Sequence, residues 1–373
     1  MQMVDLKSQY LKLKPEIDAA ILNVLDHGQY INGPEVKAFQ KNLELYSGIP
    51  HVIPCANGTD ALQIALMAIG AKPGDEVIVP AFTYVATAEV IGLLGLKPVM
   101  IDVDYNSFLS TPGQIEAAIT PRTKAIVPVH LYGQCADMEE IMKIALAHGI
   151  YVIEDNAQAI GADIIMKDGS VKKSGTLGHI GCTSFFPSKN LGCYGDGGAM
   201  LCSDEAFAEK LRMIANHGQK KKYYHEIIGV NSRLDSIQAA ILNIKLKHLD
   251  EYCKARKSVA DRYSTAFSEV KSLITPYEVD YSSHVYHQYT LKVKDGRRDQ
   301  LAEYLTSKGI PNMIYYPVPL YDQEAFKSIK GSVDFLPVTE QLCKEVISLP
   351  IHTEMKAEDQ DRIIHTVYSF FHP

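Results

Sequence analysis

The sequence predicts an α/β protein with a mostly parallel central sheet covered by helices, followed by a smaller C-terminal α/β unit. Two observations carry this. Strand patterns alternate with helical patterns from about residue 50 to 215, the order in which a parallel sheet is built. At 373 residues the chain also exceeds the size at which a single core stops growing, so a large unit over residues 1–245, opened by a helical segment, and a small one over 246–373 are expected.

In chain order, residues 55–60 read Cys-Ala-Asn-Gly-Thr-Asp, and apolar positions at 62, 65, 66 and 69 then recur with helical spacing up to Gly70. The helix therefore starts at the Gly58-Thr59-Asp60 turn. Strands are expected at 76–80, 97–102, 124–129, 151–154, 180–185 and 198–202. Helices are expected at 136–148, closed by Gly149, and at 204–216. One long helical stretch from 232 to about 267 leads into the C-terminal unit, where residues 285–293 have strand character. There is no low-complexity linker and no internal repeat.

Three of these elements end in residues that suggest chemistry. Residues 184–198 place Lys189 between a β-type run and a glycine-dense turn, a setting suited to a Schiff-base lysine held in a shaped pocket. The same pattern also fits an ordinary strand, turn and surface lysine. The strand Tyr151-Val-Ile-Glu-Asp155 ends in acidic groups, and ligands of parallel sheets bind beyond the carboxyl ends of strands. There Asp155 would face the pyridine nitrogen of pyridoxal phosphate and keep it protonated. A helix cap is the plainer reading of Asp155. The free amides at Gly58 and Thr59 would suit the cofactor phosphate, although a capped helix needs no ligand. Tyr84, after the strand at 76–79, would stack on a planar cofactor or simply pack.

Other chemistries find less support. A net charge of −7 and a pI near 6.0 give no nucleic-acid signature. Lys220-Lys-Lys222 is the one conspicuous basic run, and reads as a solvated loop or as an attraction for a diphosphate. Seven cysteines without a C-x-x-C pair, and no signal-peptide pattern, lead us to expect reduced thiols in a cytoplasmic protein. No apolar run approaches membrane-spanning length. No metal site is expected: His284 and His287 would face opposite sides of a strand. No P-loop occurs, and the glycines at 192–198 lack the spacing of a dinucleotide fingerprint.

Taken together, these motifs resemble the DegT/StrS family of pyridoxal-phosphate-dependent nucleotide-sugar aminotransferases, of fold-type I. The resemblance runs from Asp5-Leu-Lys-Ser-Gln-Tyr10 and Gly28-Gln-Tyr-Ile-Asn-Gly33 through the motifs above. It continues through Val129-His-Leu-Tyr-Gly133, Gly229-Val-Asn231-Ser-Arg233, His287-Gln-Tyr289, Tyr316-Pro-Val-Pro-Leu320 and Ser348-Leu-Pro-Ile-His352. It implies that Lys189 binds the cofactor and then moves the proton, that Asp155 partners the pyridine nitrogen, and that Gln158 lies beside the ring oxygen. Gly58, Thr59 and Ser184 would cradle the phosphate, and Tyr84 would stack. Asn231 would reach the phosphate of a neighbouring subunit, which implies a homodimer with shared sites.

The resemblance further implies transfer of an amine from glutamate, released as 2-oxoglutarate, to a ketone of a nucleotide-linked sugar. Members with histidine in place of the lysine are dehydratases, which Lys189 argues against. Phe186 and Asp196 stand where many 4-ketosugar enzymes carry histidine and glutamate. The segment is closer to enzymes acting on UDP-2-acetamido-2-deoxy-3-oxo-glucuronate for cell-surface polysaccharide. Arg233 would pair with the substrate carboxylate or diphosphate, or with a surface acid at a helix start. Tyr315 and Tyr316 would line the sugar pocket or pack. A 4-ketosugar aminotransferase on a UDP-, dTDP- or GDP-sugar is the close alternative. A non-catalytic cofactor- or sugar-binding regulator is the distant one.

Overall fold

The computed structural model describes residues 1–329, 331, 333 and 335–372. Lys330, Ser332, Asp334 and Pro373, all in the expected C-terminal unit, lie outside the described residues.

Two helices open the chain, α1 (Leu6–His27) and α2 (Pro34–Ser47). Asp5 caps α1 by accepting the Ser8 amide at 2.9 Å. The turn between the helices needs Gly33, because a Cβ there would meet the Gln29 carbonyl oxygen at 2.5 Å.

The alternation then begins with β1 (His51–Cys55), α3 (Gly58–Ala68), β2 (Glu76–Pro80), α4 (Ala86–Leu93) and β3 (Lys97–Ile101). It continues with α5 (Pro112–Ala117), β4 (Thr123–Ile126), α6 (Met138–His148) and β5 (Tyr151–Asp155). A side hairpin of β6 (Asp163–Ile165) and β7 (Val171–Lys173) precedes β8 (Ile180–Ser184), β9 (Gly198–Cys202) and α7 (Glu205–Ala215). Strands β1, β9, β8, β5, β4, β2 and β3 form one seven-stranded sheet in that spatial order. Only β9 runs against its neighbours.

The sheet is covered on both faces, which is why β2, β8 and β9 are buried at every position. On one face Ile64 and Ala65 of α3 and Leu211 of α7 meet Val79, Ile153 and Ile180. On the other, Ile141 and Ala145 of α6 meet Ile78, Ile126 and Val152.

A second hairpin, β10 (Gln219–Lys221) with β11 (Tyr224–His225), carries the basic run away from the sheet. Lys220 pairs with Glu209 at 3.0 Å, and the other two lysines lie over tyrosine rings.

The expected single helix from 232 to 267 is instead two, α8 (Ser236–Leu246) and α9 (Leu249–Phe267). Residues 232–235 are held extended by Ser232 donating to the Ala215 carbonyl and by a bridge between Ile31 and Asp235. At Lys247 and His248 the bonds tighten to the residue three back, which turns the axis.

The chain then forms β12 (Leu273–Ile274), β13 (Tyr289–Val293), α10 (Arg298–Ser307), α11 (Pro337–Glu345), β14 (Val346–Leu349) and α12 (Ala357–Phe371). Leu291 and Ile347 of its sheet pack with Tyr263, Leu301 and Ile363 in a core of their own. The strand expected at 285–293 starts only at Tyr289, since Tyr286 takes φ 48°. Among the described residues no helix is long and apolar enough to cross a membrane.

Candidate active site

The ends of β1, β2, β4, β5 and β8 open on one edge of the sheet, and most of the residues singled out in the sequence lie in the turns that follow them. At the end of β5, Asp155 is buried, with Oδ2 accepting the Thr87 hydroxyl at 2.7 Å and Oδ1 accepting the Ala157 amide at 3.1 Å. Both oxygens are thus fixed, in a carboxylate-like pattern. Behind it, Glu154 and His130 are fully buried and 2.8 Å apart. His130 Nδ1 accepts the Ala136 amide, so Nε2 carries the proton that it gives to Glu154. Glu154 also accepts the amides of Gly175 and Leu177 at 2.9 and 2.7 Å, and that of Gly178. The turn carrying Asp155 is therefore braced from the side away from the opening.

Lys189 follows β8, in a turn closed by its own amide donating to the Phe186 carbonyl at 2.8 Å. Its amine has no hydrogen bond or ion pair among the described residues. Burial lowers its pKa from 10.5 to about 8, and the Asp155 charge opposes that fall. A neutral amine is accordingly accessible close to physiological pH.

Across from it, Asn57 caps α3 by accepting the Asp60 amide at 2.8 Å, which leaves the Gly58 and Thr59 amides pointing out of the helix start. The approach of Ser184 is close: a Cβ on Gly58 would lie 2.8 Å from the Ser184 Cβ. Gly198 presses on the same turn, where its Cβ would meet the Asn57 carbonyl at 2.5 Å. Two amides and a hydroxyl thus border one corner, a donor set that suits an anion.

Gln158 is held by the Tyr132 amide at 2.8 Å and donates to the Tyr316 hydroxyl at 3.0 Å. The Tyr132 hydroxyl donates to the Tyr315 carbonyl. Tyr84 is 57% exposed at the rim, its ring 6.5 Å from that of Tyr316. The C-terminal part of the chain thereby reaches the site through Tyr315 and Tyr316.

Asn231 and Arg233 are not drawn into this cluster. Ser232, between them, accepts the Ala56 amide at 3.0 Å, so the extended alternation turns its neighbours the other way. Asn231 is exposed, and Arg233 has no ion pair among the described residues, so the surface salt bridge weighed for it is not made. His284 and His287 are both buried in the irregular segment before β13, and no group of three metal-ligating side chains occurs among the described residues.

Thr87, His130 and the bracing role of Glu154 emerge only from the fold. Thr87 had a signal, since it lies one helical turn beyond Tyr84. His130 and Glu154 lie within the Val129–Gly133 and Tyr151–Asp155 segments, but nothing in their order shows that they meet.

Residues 12–368 match the DegT/DnrJ/EryC1/StrS aminotransferase family. The chain is 48% identical over 352 residues to a UDP-2-acetamido-2-deoxy-3-oxo-D-glucuronate aminotransferase of Pseudomonas aeruginosa, covering 94% of this chain and 95% of that one. It is 47% identical over 371 residues to a pleiotropic regulatory protein of Geobacillus stearothermophilus, covering 99% and 98%. Among solved structures it is similar to a DegT DnrJ EryC1 StrS aminotransferase from Brucella abortus, with a TM-score of 0.94, 42% identity and full coverage of both chains.

Proposed function

The chain belongs to the DegT/DnrJ/EryC1/StrS aminotransferase family, and from that premise we propose that it aminates C3 of UDP-2-acetamido-2-deoxy-3-oxo-glucuronate with glutamate as donor. The chain is a nucleotide-sugar aminotransferase of fold-type I that uses pyridoxal phosphate. The finer reading is supported by the name of the Pseudomonas aeruginosa relative. It is also supported by Phe186 and Asp196 in the lysine segment and by an Arg233 left free for an anion. The Geobacillus relative's name points to regulation, but Lys189 and Asp155 give this chain the groups that catalysis requires.

The residues present fit the cofactor, because the close Gly58–Ser184 approach forms a cradle that any larger side chain would fill. We assign the phosphate to the Gly58 and Thr59 amides and the Ser184 hydroxyl, the pyridine nitrogen to Asp155, ring stacking to Tyr84, and the neighbourhood of the ring oxygen to Gln158. When bound, the cofactor supplies an electron sink next to the carbon that exchanges nitrogen. Asp155, oriented by Thr87 and Ala157, keeps the pyridine nitrogen charged. Lys189 holds the cofactor covalently, and its freed Nζ takes the proton from the glutamate α-carbon and later delivers one to sugar C3. Arg233, turned away from its own chain's cluster as Asn231 is, pairs with the substrate carboxylate or diphosphate in the site of a second subunit, and Tyr315 and Tyr316 line the sugar pocket.

Asn231 completes the phosphate site of a second subunit in a homodimer. Its exposure supports this, as do the exposed Tyr30, Ile31, Tyr223, Tyr224 and Ile228. We also propose the division into residues 1–245 and 246–373, for which the separate core around β13 and β14 speaks. A cytoplasmic setting, serving cell-surface polysaccharide synthesis, agrees with seven free cysteines.

The observation that carries this reading is the unpartnered, partly neutral amine of Lys189 beside Asp155. Borohydride reduction of the loaded protein and peptide mapping should find the pyridoxyl group on Lys189. The product from the 3-ketosugar and glutamate should carry its amine on C3 by NMR. Turnover confined to a 4-ketosugar would replace the substrate and leave the enzyme class standing.

A further inference from the structure

One buried side chain near the site has no part in the roles assigned above, and what it implies rests on the reading that Tyr315 and Tyr316 line the sugar pocket. Residues 313–320 carry that pair. At one end Met313 exchanges main-chain bonds with Ser348 of β14, at 3.2 and 2.7 Å, and at the other the Leu320 amide donates to the Ala81 carbonyl at 3.3 Å. Between these ends, residues 314–318 make no main-chain bond to another main-chain group among the described residues. Pro317 and Pro319 have no amide hydrogen to give. Side chains therefore set where this span lies. Gln158 donates to the Tyr316 hydroxyl, and the Tyr132 hydroxyl donates to the Tyr315 carbonyl.

Tyr132 is itself firmly held. It is 2% exposed and takes φ 58°, where a bulky residue stays only if its surroundings fix it. Its amide is given to Gln158 Oε1 at 2.8 Å, and its carbonyl accepts the Gln288 amide at 3.4 Å. Its ring meets Phe108 edge-on at 5.3 Å, Phe108 stacks with Phe82 at 6.1 Å, and Phe82 meets the Tyr316 ring edge-on at 5.8 Å. The path from Tyr132 thus closes on the tyrosine pair twice, through the hydroxyl on the main chain of Tyr315 and through an aromatic layer on the ring of Tyr316. Burial raises the Tyr316 hydroxyl above its ordinary range, and the nearby Asp155 charge adds to this. The ring that Tyr132 helps to place therefore stands close to the carboxylate assigned to the cofactor.

We propose that Tyr132 is a positioning residue for the sugar half of the transamination: its hydroxyl, by holding the Tyr315 carbonyl, sets where Tyr315 and Tyr316 meet the ketosugar. Its amide holds Gln158 separately, so the hydroxyl can be removed without breaking that contact.

The test is Tyr132→Phe, which deletes one oxygen and keeps the ring and the backbone; losing one hydrogen bond leaves the fold standing. Calorimetric titration of the loaded protein without glutamate measures binding alone, because no amine is then on hand to transfer. UDP-2-acetamido-2-deoxy-3-oxo-glucuronate should bind about tenfold more weakly to the variant, the scale of one hydrogen bond, while UDP, which lacks the sugar, should bind as it does to wild type. In single turnover the half-saturating ketosugar concentration should rise by a similar factor, with the glutamate half-reaction unchanged. If wild type binds only a 4-ketosugar, the same comparison is made with that sugar. Unchanged ketosugar binding, equal weakening of ketosugar and UDP, or a glutamate half-reaction slowed as much as the sugar one would overturn the proposal. Tyr315→Ala and Tyr316→Ala proteins that both bind the ketosugar as wild type does would instead bring down the reading on which it stands.

Discussion

For a single residue, the environment of Lys189 makes a prediction whose sign can be worked out. Its folded pKa, about 8, lies below the ordinary lysine value of 10.5 because burial disfavours the charged amine. Between those two values the unfolded chain binds more protons, so this group's contribution to stability rises with pH through that window. In the cofactor-free protein, Lys189→Met should therefore melt above wild type near neutral pH, with the difference shrinking as pH climbs past about 8. A gap independent of pH would mean that the amine is not desolvated. Cofactor loading should accelerate as pH rises through about 8 and level off above it, since only the neutral amine is nucleophilic. Asp155 gives a second handle, because Thr87 supplies one of its two hydrogen bonds. Thr87→Val should slow the glutamate half-reaction by about tenfold, the scale of one charge-assisted hydrogen bond. Asp155→Asn should cost far more. Equal rates for Thr87→Val and wild type would show that the Ala157 amide alone suffices.

Among the elements, α3 carries the sharpest separation of stability from binding. Asn57→Ala removes the cap and should destabilise the protein by about 1 kcal/mol. Gly58→Ala keeps the cap but drives a Cβ to 2.8 Å from the Ser184 Cβ, so its main loss should be cofactor affinity, measured by equilibrium dialysis. If Gly58→Ala binds the cofactor as well as wild type does, the phosphate does not sit in that corner. The start of α3 was readable in the sequence because Asn57-Gly-Thr-Asp60 is a local signal, as were the apolar strands that end at Asp155 and Ser184. What escaped was non-local. The expected helix at 232–267 has helical periodicity throughout, yet the pull of Ala215 and Ile31 on residues 232–235 overrides it. The strand expected at 285–293 loses its first half to the packing of Gly133. Glu154 and His130 are 24 residues apart in sequence, and only closure of the sheet brings them together. Likewise Tyr316 reaches Gln158 across 158 residues, a contact no spacing rule anticipates.

The whole molecule is where Asn231 must be judged, because within one chain it faces away from the turn that Ser232 holds. If it completes the phosphate site of a second subunit, lesions at Lys189 and Asn231 fall in different sites of a mixed dimer. One site then holds both defects, and the other holds neither. Lys189→Ala and Asn231→Ala chains, each inactive alone, should recover up to about a quarter of wild-type activity when mixed under conditions that exchange subunits. Half of the dimers are then mixed, and each has one intact site of two. If Asn231 instead served its own chain, every site in a mixed dimer would keep one lesion and mixing would restore nothing. The same geometry predicts that Ile228→Asp, on the exposed apolar segment following β11, weakens self-association in sedimentation and lowers activity at dilute enzyme, with recovery as concentration rises. Loss of activity at every concentration, with the dimer intact, would place that segment in the site rather than in the interface.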